Sequence, residues 1–281
     1  MIKKESQQNT KQKTIIFFTI SSLIIIICYL LHKIKIIQNN LGPTDPSTVI
    51  PIGELIEKSI SGAASIQGKL DHYDSPYFKE IDFYHQNPTN TLISYKQFKT
   101  YQQTTFYTCG CSCALMVLNH LGYTKQTEKS IYLAMKEIQP NFDSCGSTVD
   151  TMEKFFRNLG FQTETKNSVD PKKGPIEQNG PVLNPDRLRD YAISAIQNNQ
   201  YIICISPILG GHWTVIAGID TMGTETSYDD VIIMADPFDW GDHRQDGYTV
   251  YNLHSFLRMW RCILPDHASD GPFNFVKVWK D

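Results

Sequence analysis

The sequence predicts an α+β fold in which helices come first and pack on a mostly antiparallel sheet, preceded by one transmembrane helix. An uncharged apolar run begins at residue 14. Helical periodicity then recurs between residues 110 and 198, and short strand-like runs dominate residues 201–279. Helices and strands that are segregated along the chain are typical of α+β domains.

Length, composition and charge exclude several classes of protein. With 281 residues, of which 41% are hydrophobic and 20% charged, the chain is not intrinsically disordered, collagen-like or a multi-span membrane protein. Six of the 26 basic residues but only one of the 29 acidic residues lie within the first 35 positions, so the remainder carries a net charge of −8. An acidic body matches the phosphate backbone poorly, and no nucleic acid partner is expected.

The N-terminus is predicted to hold a membrane anchor. Residues 14–31 are 18 residues without a charge, and isoleucines extend the run to residue 37. A helix of this length nearly spans the hydrocarbon core, and no small-x-small cleavage site follows it. We therefore expect a basic cytoplasmic tail at 1–13 and an uncleaved signal anchor at 14–37. The lysine bias between its two flanks favours an extracytoplasmic body.

A tether and N-terminal extension are expected at 38–92, before a folded domain at 93–281. Residues 39–50 are polar and contain proline and glycine, which is typical of a linker. Apolar positions in residues 54–66 have the spacing of a short amphipathic helix, although Gly62 lowers the helix propensity.

The elements of the domain follow in chain order. Helices are predicted at 110–121 and 148–159, and a glycine that ends the helix directly follows each of them. A third helix begins after an Asn184 N-cap, with Pro185 in its first turn, and runs to residue 198. A short helix is predicted at 253–260, and strands are predicted at 201–206, 212–219, 230–236, 248–251 and 273–279.

The chain has seven cysteines, three of which are crowded into Cys109-Gly-Cys111-Ser-Cys113. Structural zinc sites use cysteine pairs of wider spacing together with a second such pair, and the sequence contains none. There is also no phosphate-binding loop. No metal and no cofactor are therefore expected. The remaining cysteines allow disulfides, but their spacing does not resemble a small stapled scaffold.

Cys109 is the leading candidate for a nucleophile. It stands immediately before a predicted helix, where unpaired N–H groups and the helix dipole stabilise a thiolate. Cys113 is expected to be a core residue. Spacing alone does not exclude Cys111.

A thiolate nucleophile requires a base and a group that orients the base. His212 follows two glycines and opens a predicted strand, and the next strand ends at Asp236. If the strands form an antiparallel hairpin, the two residues are cross-strand neighbours about 5 Å apart at Cβ. Asp220 and Asp239 are alternative carboxylates. The structural alternative is that His212 and Asp236 merely cap strand ends.

The run Gln103-Thr-Thr-Phe-Tyr-Thr-Cys109-Gly, followed by the apolar helix ALMVLNHLG, resembles papain-fold cysteine peptidases. It is most similar to the bacteriocin-processing (double-glycine leader) peptidases, in a stand-alone form without an exporter. The resemblance covers roughly residues 95–281. It implies that Gln103 contributes to an oxyanion hole, Cys109 rather than Cys111 is the nucleophile, and His212 is the base oriented by Asp236.

The resemblance implies a papain-like domain that acts as a membrane-anchored cysteine peptidase on a peptide or protein substrate, and a bacterial source fits it. Gly211 and Trp213, beside the predicted base, are expected to bind substrate. The chain has C-G-C-S where many relatives have C-G-P-A. Two alternatives remain open, a peptide-binding module on an inactive scaffold and a transpeptidase or acyltransferase using the same residues. Residues 54–66 could also form a pro-segment that covers the cleft.

Overall fold

The computed structural model describes residues 26–27, 29–30, 48–66, 81–176, 184–206, 210–239, 245–261 and 273–280. The predicted tail at 1–13 lies outside these ranges, as does all but four residues of the predicted anchor at 14–37. Within the described ranges, no helix combines the length and the apolar character needed to cross a membrane. The anchor stays a prediction.

A seven-stranded sheet forms the centre of the fold, and all of its strand pairs are antiparallel. The strand order is β2-β7-β3-β4-β5-β6, and β1 pairs with β4. The strands are β1 (Leu92–Ser94), β2 (Gln162–Thr165), β3 (Tyr201–Ser206), β4 (His212–Asp220), β5 (Val231–Ala235), β6 (Tyr248–Asn252) and β7 (Phe275–Trp279).

Helices cover both faces of the sheet. One core joins the sheet to α1, α2 and α4, and a second core joins it to α5 and α6. The described helices are α1 (Cys109–His120), α2 (Glu128–Ile138), α3 (Phe142–Cys145), α4 (Val149–Asn158), α5 (Pro185–Gln197) and α6 (Leu253–Trp260).

Burial on both faces explains the continuous apolar run of β3. Ile203 and Ile205 point into the first core, whereas Ile202 and Cys204 point into the second. Successive side chains of a strand alternate between faces, so a strand covered on both sides needs apolar residues at every position. The mixed fold of helices and antiparallel sheet is therefore confirmed, with a second helical layer.

The predicted helix over 54–66 is wrong, because only Ala63–Ile66 form a single 3-10 turn. The sequence prediction also missed β1, β2, the four-residue α3 and α2. The start of α2 carries a local signal, since Thr127 and Ser130 form a reciprocal capping box.

Candidate active site

A cleft of about 300 Å³ opens between the start of α1 and the start of β4. Its walls come from the start of α1 and the residues before it, from residues 144–147 at the end of α3, and from the sheet. The described lining residues are Phe106, Tyr107, Cys109, Ser144, Cys145, Gly146, Ser147, Ile205, Gly210, Gly211 and Trp213.

Cys109 is the first residue of α1 and is 6% exposed. Thr108 is the N-cap residue of this helix, yet its side chain does not cap it. Its hydroxyl instead donates to the Glu128 carboxylate at 2.5 Å. No side-chain cap from Thr108 therefore competes for the first N–H groups of α1, which together with the helix dipole favour a negative charge at Cys109.

The two neighbouring cysteines are placed differently. Cys111 and Cys113 are fully buried on α1, and the Cys111 sulfur lies 3.7 Å from the sulfur of Met135. Burial raises the pKa of both thiols well above the ordinary value, and nearby negative groups, Glu128 for Cys111 among them, raise it further. Neither thiol has the access or the ionisation that a nucleophile needs.

All five cysteines within the described ranges are free thiols. They are Cys109, Cys111, Cys113, Cys145 and Cys204. Cys145 is the exposed member of this set and lines the same cleft as Cys109.

His212 is the first residue of β4 and is buried. Its Nε2 atom lies 2.6 Å from Oδ1 of Asp236. The same oxygen accepts the backbone N–H of Phe238 at 2.8 Å, and the Phe238 ring packs edge-on against the imidazole. The carboxylate and the ring thus fix the orientation of His212, leaving Nδ1 for another partner.

The hairpin that brings these two residues together is confirmed, but the predicted register is wrong. The last pair of the β4–β5 ladder is Val215 with Ala235, so continuing the register places Asp236 opposite Thr214. His212 therefore reaches Asp236 diagonally across the hairpin. The alternative carboxylates lie elsewhere: Asp239 accepts the Gly247 N–H at 3.0 Å, and Asp220 accepts the Met222 N–H at 2.8 Å.

The charge state of His212 is set by its neighbours. Burial alone lowers the pKa of this imidazole, but the negative charge and hydrogen bond of Asp236, together with a hydrogen bond and charge interaction with Cys109, raise it to about 10. The neighbouring carboxylate therefore favours the protonated form of the imidazole. Cys109 and Asp236 act on the same ring.

Gln103 is 1% exposed, and its side-chain amide donates to the Thr105 carbonyl at 2.7 Å. The side-chain oxygen of Gln103 has no hydrogen-bond partner within the described part of the chain. The Gln103 backbone N–H donates to the Pro237 carbonyl at 2.9 Å, which ties the predicted oxyanion residue to the loop that follows Asp236.

Sequence reasoning missed Gln102. Its side-chain amide donates to the Asp236 carbonyl at 3.0 Å, and its side-chain oxygen accepts the Asp239 N–H at 3.2 Å. Gln102 therefore holds the loop that presents Asp236. No local motif distinguishes this glutamine, because its partners lie more than 130 positions away in sequence.

Sequence reasoning also missed Glu128, the first residue of α2, which is 3% exposed. Its carboxylate accepts five hydrogen bonds from the segment that carries Gln103 and Cys109. The donors are the hydroxyls of Tyr101, Thr104, Thr108 and Ser112 and the backbone N–H of Thr104. These five donors balance the charge of this carboxylate.

The predicted substrate-binding residues Gly211 and Trp213 both line the cleft. The Trp213 indole N–H donates to the Ser147 carbonyl at 2.9 Å, so this side chain also holds the opposite wall. Ser147 approaches α1 closely, because a β carbon at Gly110 would lie 1.9 Å from the Ser147 hydroxyl oxygen. This approach explains why glycine follows Cys109.

The described residues contain no group of three or more His, Cys, Asp or Glu side chains placed to hold a metal ion.

Comparison with known proteins identifies the family. The model of the Peptidase_C39 like family matches residues 95–263, which is more than half of the chain. The chain belongs to this family. Membership supports a papain fold and a cysteine peptidase-type function. The matched residues include α1 and the β4–β5 hairpin.

Among solved structures, this C39-like chain is similar to the peptidase domain of Streptococcus ComA, a bifunctional ABC transporter involved in a quorum sensing pathway. The sequence identity is 14%, the match covers 65% of this chain and 96% of that domain, and the TM-score is 0.34. No curated protein matches the chain significantly.

Replacing Glu128 with alanine should destabilise the protein strongly. Five donors lose their acceptor at once, and we expect the free energy of unfolding to fall by about 3 kcal/mol or more. Urea denaturation of the full chain measures this change. Glu137→Ala is the matched control, because it makes the same substitution at an exposed position of α2. A loss for Glu128→Ala no larger than for the control would contradict the role of the carboxylate.

The pKa of His212 should depend on Asp236. Since the folded-state pKa of about 10 lies above the unfolded value of about 6.5, protonation stabilises the fold fully below pH 6.5. That stabilisation should be lost as the pH rises toward 10. Asp236→Asn should lower the pKa and move this loss to lower pH.

Histidine carbon chemical shifts, followed by NMR across the pH range, measure the titration directly. His120 is an internal reference of opposite sign, because burial lowers its pKa. Asp220→Asn is the control variant. A His212 titration unaffected by Asp236→Asn would show that the pair does not set its charge.

Proposed function

We propose that this chain is a membrane-anchored cysteine peptidase that hydrolyses peptide bonds with Cys109, His212, Asp236 and Gln103. The observation that carries the proposal is the buried His212–Asp236 pair, 2.6 Å apart, whose imidazole also interacts with Cys109 at the uncapped start of α1. A thiol, an imidazole and an orienting carboxylate are the groups that nucleophilic acyl transfer requires.

In the first half of the reaction, the Cys109 thiolate attacks the carbonyl carbon of the scissile peptide bond. The carbonyl oxygen becomes negatively charged, and the backbone N–H of Cys109 and the side-chain amide of Gln103 donate hydrogen bonds to it. The Gln103 nitrogen carries two hydrogens, and one of them is used for Thr105. The proposal assigns the second to the substrate oxygen.

Acylation is completed when the C–N bond breaks, the His212 imidazolium gives its proton to the leaving amine, and an acyl group remains on the Cys109 sulfur. The neutral imidazole then takes a proton from water, and the resulting hydroxide displaces the thiolate. Asp236 holds Nε2 throughout, so that Nδ1 faces the reacting groups. Proton transfer therefore occurs at one ring nitrogen.

The acyl-enzyme also permits transfer to an amine in place of water. This transpeptidase reaction uses the same residues and differs only in the acceptor that enters the cleft. A peptide-binding module on an inactive scaffold is the alternative from another class. The presence of all four residues favours an enzyme, because loss of any one of them would be the expected mark of an inactive scaffold.

The membrane anchor at 14–37 and an extracytoplasmic domain complete the proposal. Their support is the uncharged apolar run and the excess of lysine on its N-terminal side. The proposed substrate is a peptide or protein that reaches the outer side of the cytoplasmic membrane.

Cys109→Ala should abolish turnover of a peptide library by the full chain, because it removes the thiol that interacts with the His212 imidazole. Mass spectrometry detects both hydrolysed products and, with an added amine, transfer products. Cys145→Ala is the control, since it removes an exposed thiol from the same cleft, and it should retain activity. Undiminished turnover by Cys109→Ala would refute the mechanism. Stable peptide binding without turnover by the wild type would favour the binding module.

The double substitution Ile24→Lys and Ile27→Lys should release the chain from membranes. Each charge at the centre of a spanning helix costs about 2.5 to 3.5 kcal/mol. Sedimentation after carbonate extraction measures membrane association. Thr44→Lys, which adds a charge in the predicted tether, should leave the chain in the membrane fraction. A wild-type chain that is extracted by carbonate would contradict the anchor.

A further inference from the structure

The residues at 48–66, here called the strap, lie outside the part of the chain matched by the family model. They nevertheless pack along the segment that leads to Cys109. Val49 bridges Thr100, and the Ile50 N–H donates to the Thr100 carbonyl at 2.9 Å. Ala63 is fully buried, and its carbonyl accepts the side-chain amide of Gln245 at 2.9 Å. The strap is therefore integrated into the fold.

The contact between the strap and the domain is tightest at Gly62. The N–H groups of Gly62 and Ala64 donate to the carbonyls of Thr104, at 3.0 Å, and Gln103, at 3.2 Å. A β carbon at Gly62 would lie 2.5 Å from the Gln103 carbonyl oxygen and 2.6 Å from that of Thr105. Both obstacles are backbone atoms, which no side-chain rotation can remove. Only glycine permits this approach.

The segment that contains Gln103 is thus held from two sides. The Thr104 N–H donates to Glu128 at 3.1 Å, while the Thr104 carbonyl accepts from the strap. The strap contributes no residue to the described lining of the cleft. Its nearest link to the lining is Glu57, which accepts the Tyr107 hydroxyl at 3.0 Å. The strap therefore contacts the Gln103 segment without lining the cleft.

We propose that the strap is a positioning element, which holds the Gln103 amide at the place where the substrate carbonyl oxygen becomes charged. The strap thereby supports turnover, in contrast to a pro-segment that would inhibit it. This inference rests on the proposed function of Gln103. A displacement of about 1 Å in a positioned group can cost about 100-fold in rate, so a single methyl group at Gly62 is a sufficient probe.

Gly62→Ala in the full chain should lower kcat about 10- to 100-fold and leave KM within about twofold, because oxyanion stabilisation acts on the transition state. Alkylation of Cys109 by iodoacetamide should keep its rate, since displacement at a saturated carbon uses no oxyanion hole. The effect should not add to that of Gln103→Ala, because both changes remove the same interaction.

Gly53→Ala is the matched control within the strap. Its β carbon would approach only side-chain atoms of Thr127, the nearest at 3.2 Å, and turnover should stay at the wild-type level. Higher turnover of Gly62→Ala would overturn the proposal in favour of an inhibitory pro-segment. Unchanged turnover would also overturn the proposal. Equal losses of turnover and of alkylation rate would overturn it as well, because they would indicate a general disruption of the site.

Hydrogen exchange separates this inference from the proposed function. The backbone amides of Gln103 and Thr104 are hydrogen-bonded, and Gly62→Ala should speed their exchange about 10-fold, whereas Gly53→Ala should not. This measurement needs no substrate. If the wild type lacks turnover but the exchange responds, the proposed function fails, while the strap still fixes the conformation of the Gln103 segment. If exchange is unchanged, the positioning role fails even in an active enzyme.

Discussion

The buried carboxylate of Glu128 is the constraint on which the arrangement around Cys109 depends. A charge removed from water must be compensated, and five hydrogen bonds from residues 101–112 provide the compensation. The Glu128 carboxylate therefore holds residues 101–112 in one conformation. It also takes the Thr108 hydroxyl away from the start of α1, so the same interaction that orders the segment leaves the helix end without a side-chain cap beside the thiol.

A second set of polar contacts organises the sheet side of the cleft. One side-chain oxygen of Asp236 contacts His212, and the backbone carbonyl of Asp236 accepts a hydrogen bond from the Gln102 side-chain amide. Gln103, the next residue, binds Pro237 through its backbone. Two consecutive glutamines thus link the segment before Cys109 to the loop after Asp236. The proposed acid–base pair and the proposed oxyanion donor share one network, in which each hydrogen bond limits the movement of the others.

The sequence predicts the parts of this site whose signals are local. Apolar periodicity followed by Gly122 predicts α1, and two β-rich runs predict the β4–β5 hairpin that brings His212 to Asp236. The sequence does not predict the strand register or the roles of Glu128 and Gln102, because each depends on partners distant in sequence. Gly62 is the clearest case. In sequence it only weakens a predicted helix, whereas in the fold it permits a backbone contact that no local pattern encodes.

The division of the fold into layers has a mechanical consequence. His212 belongs to the sheet and Asp236 directly follows β5, and apolar cores hold this sheet from both faces, whereas Cys109 belongs to a helix on one face only. The distance between the sulfur and the imidazole therefore depends on how α1 packs against the sheet.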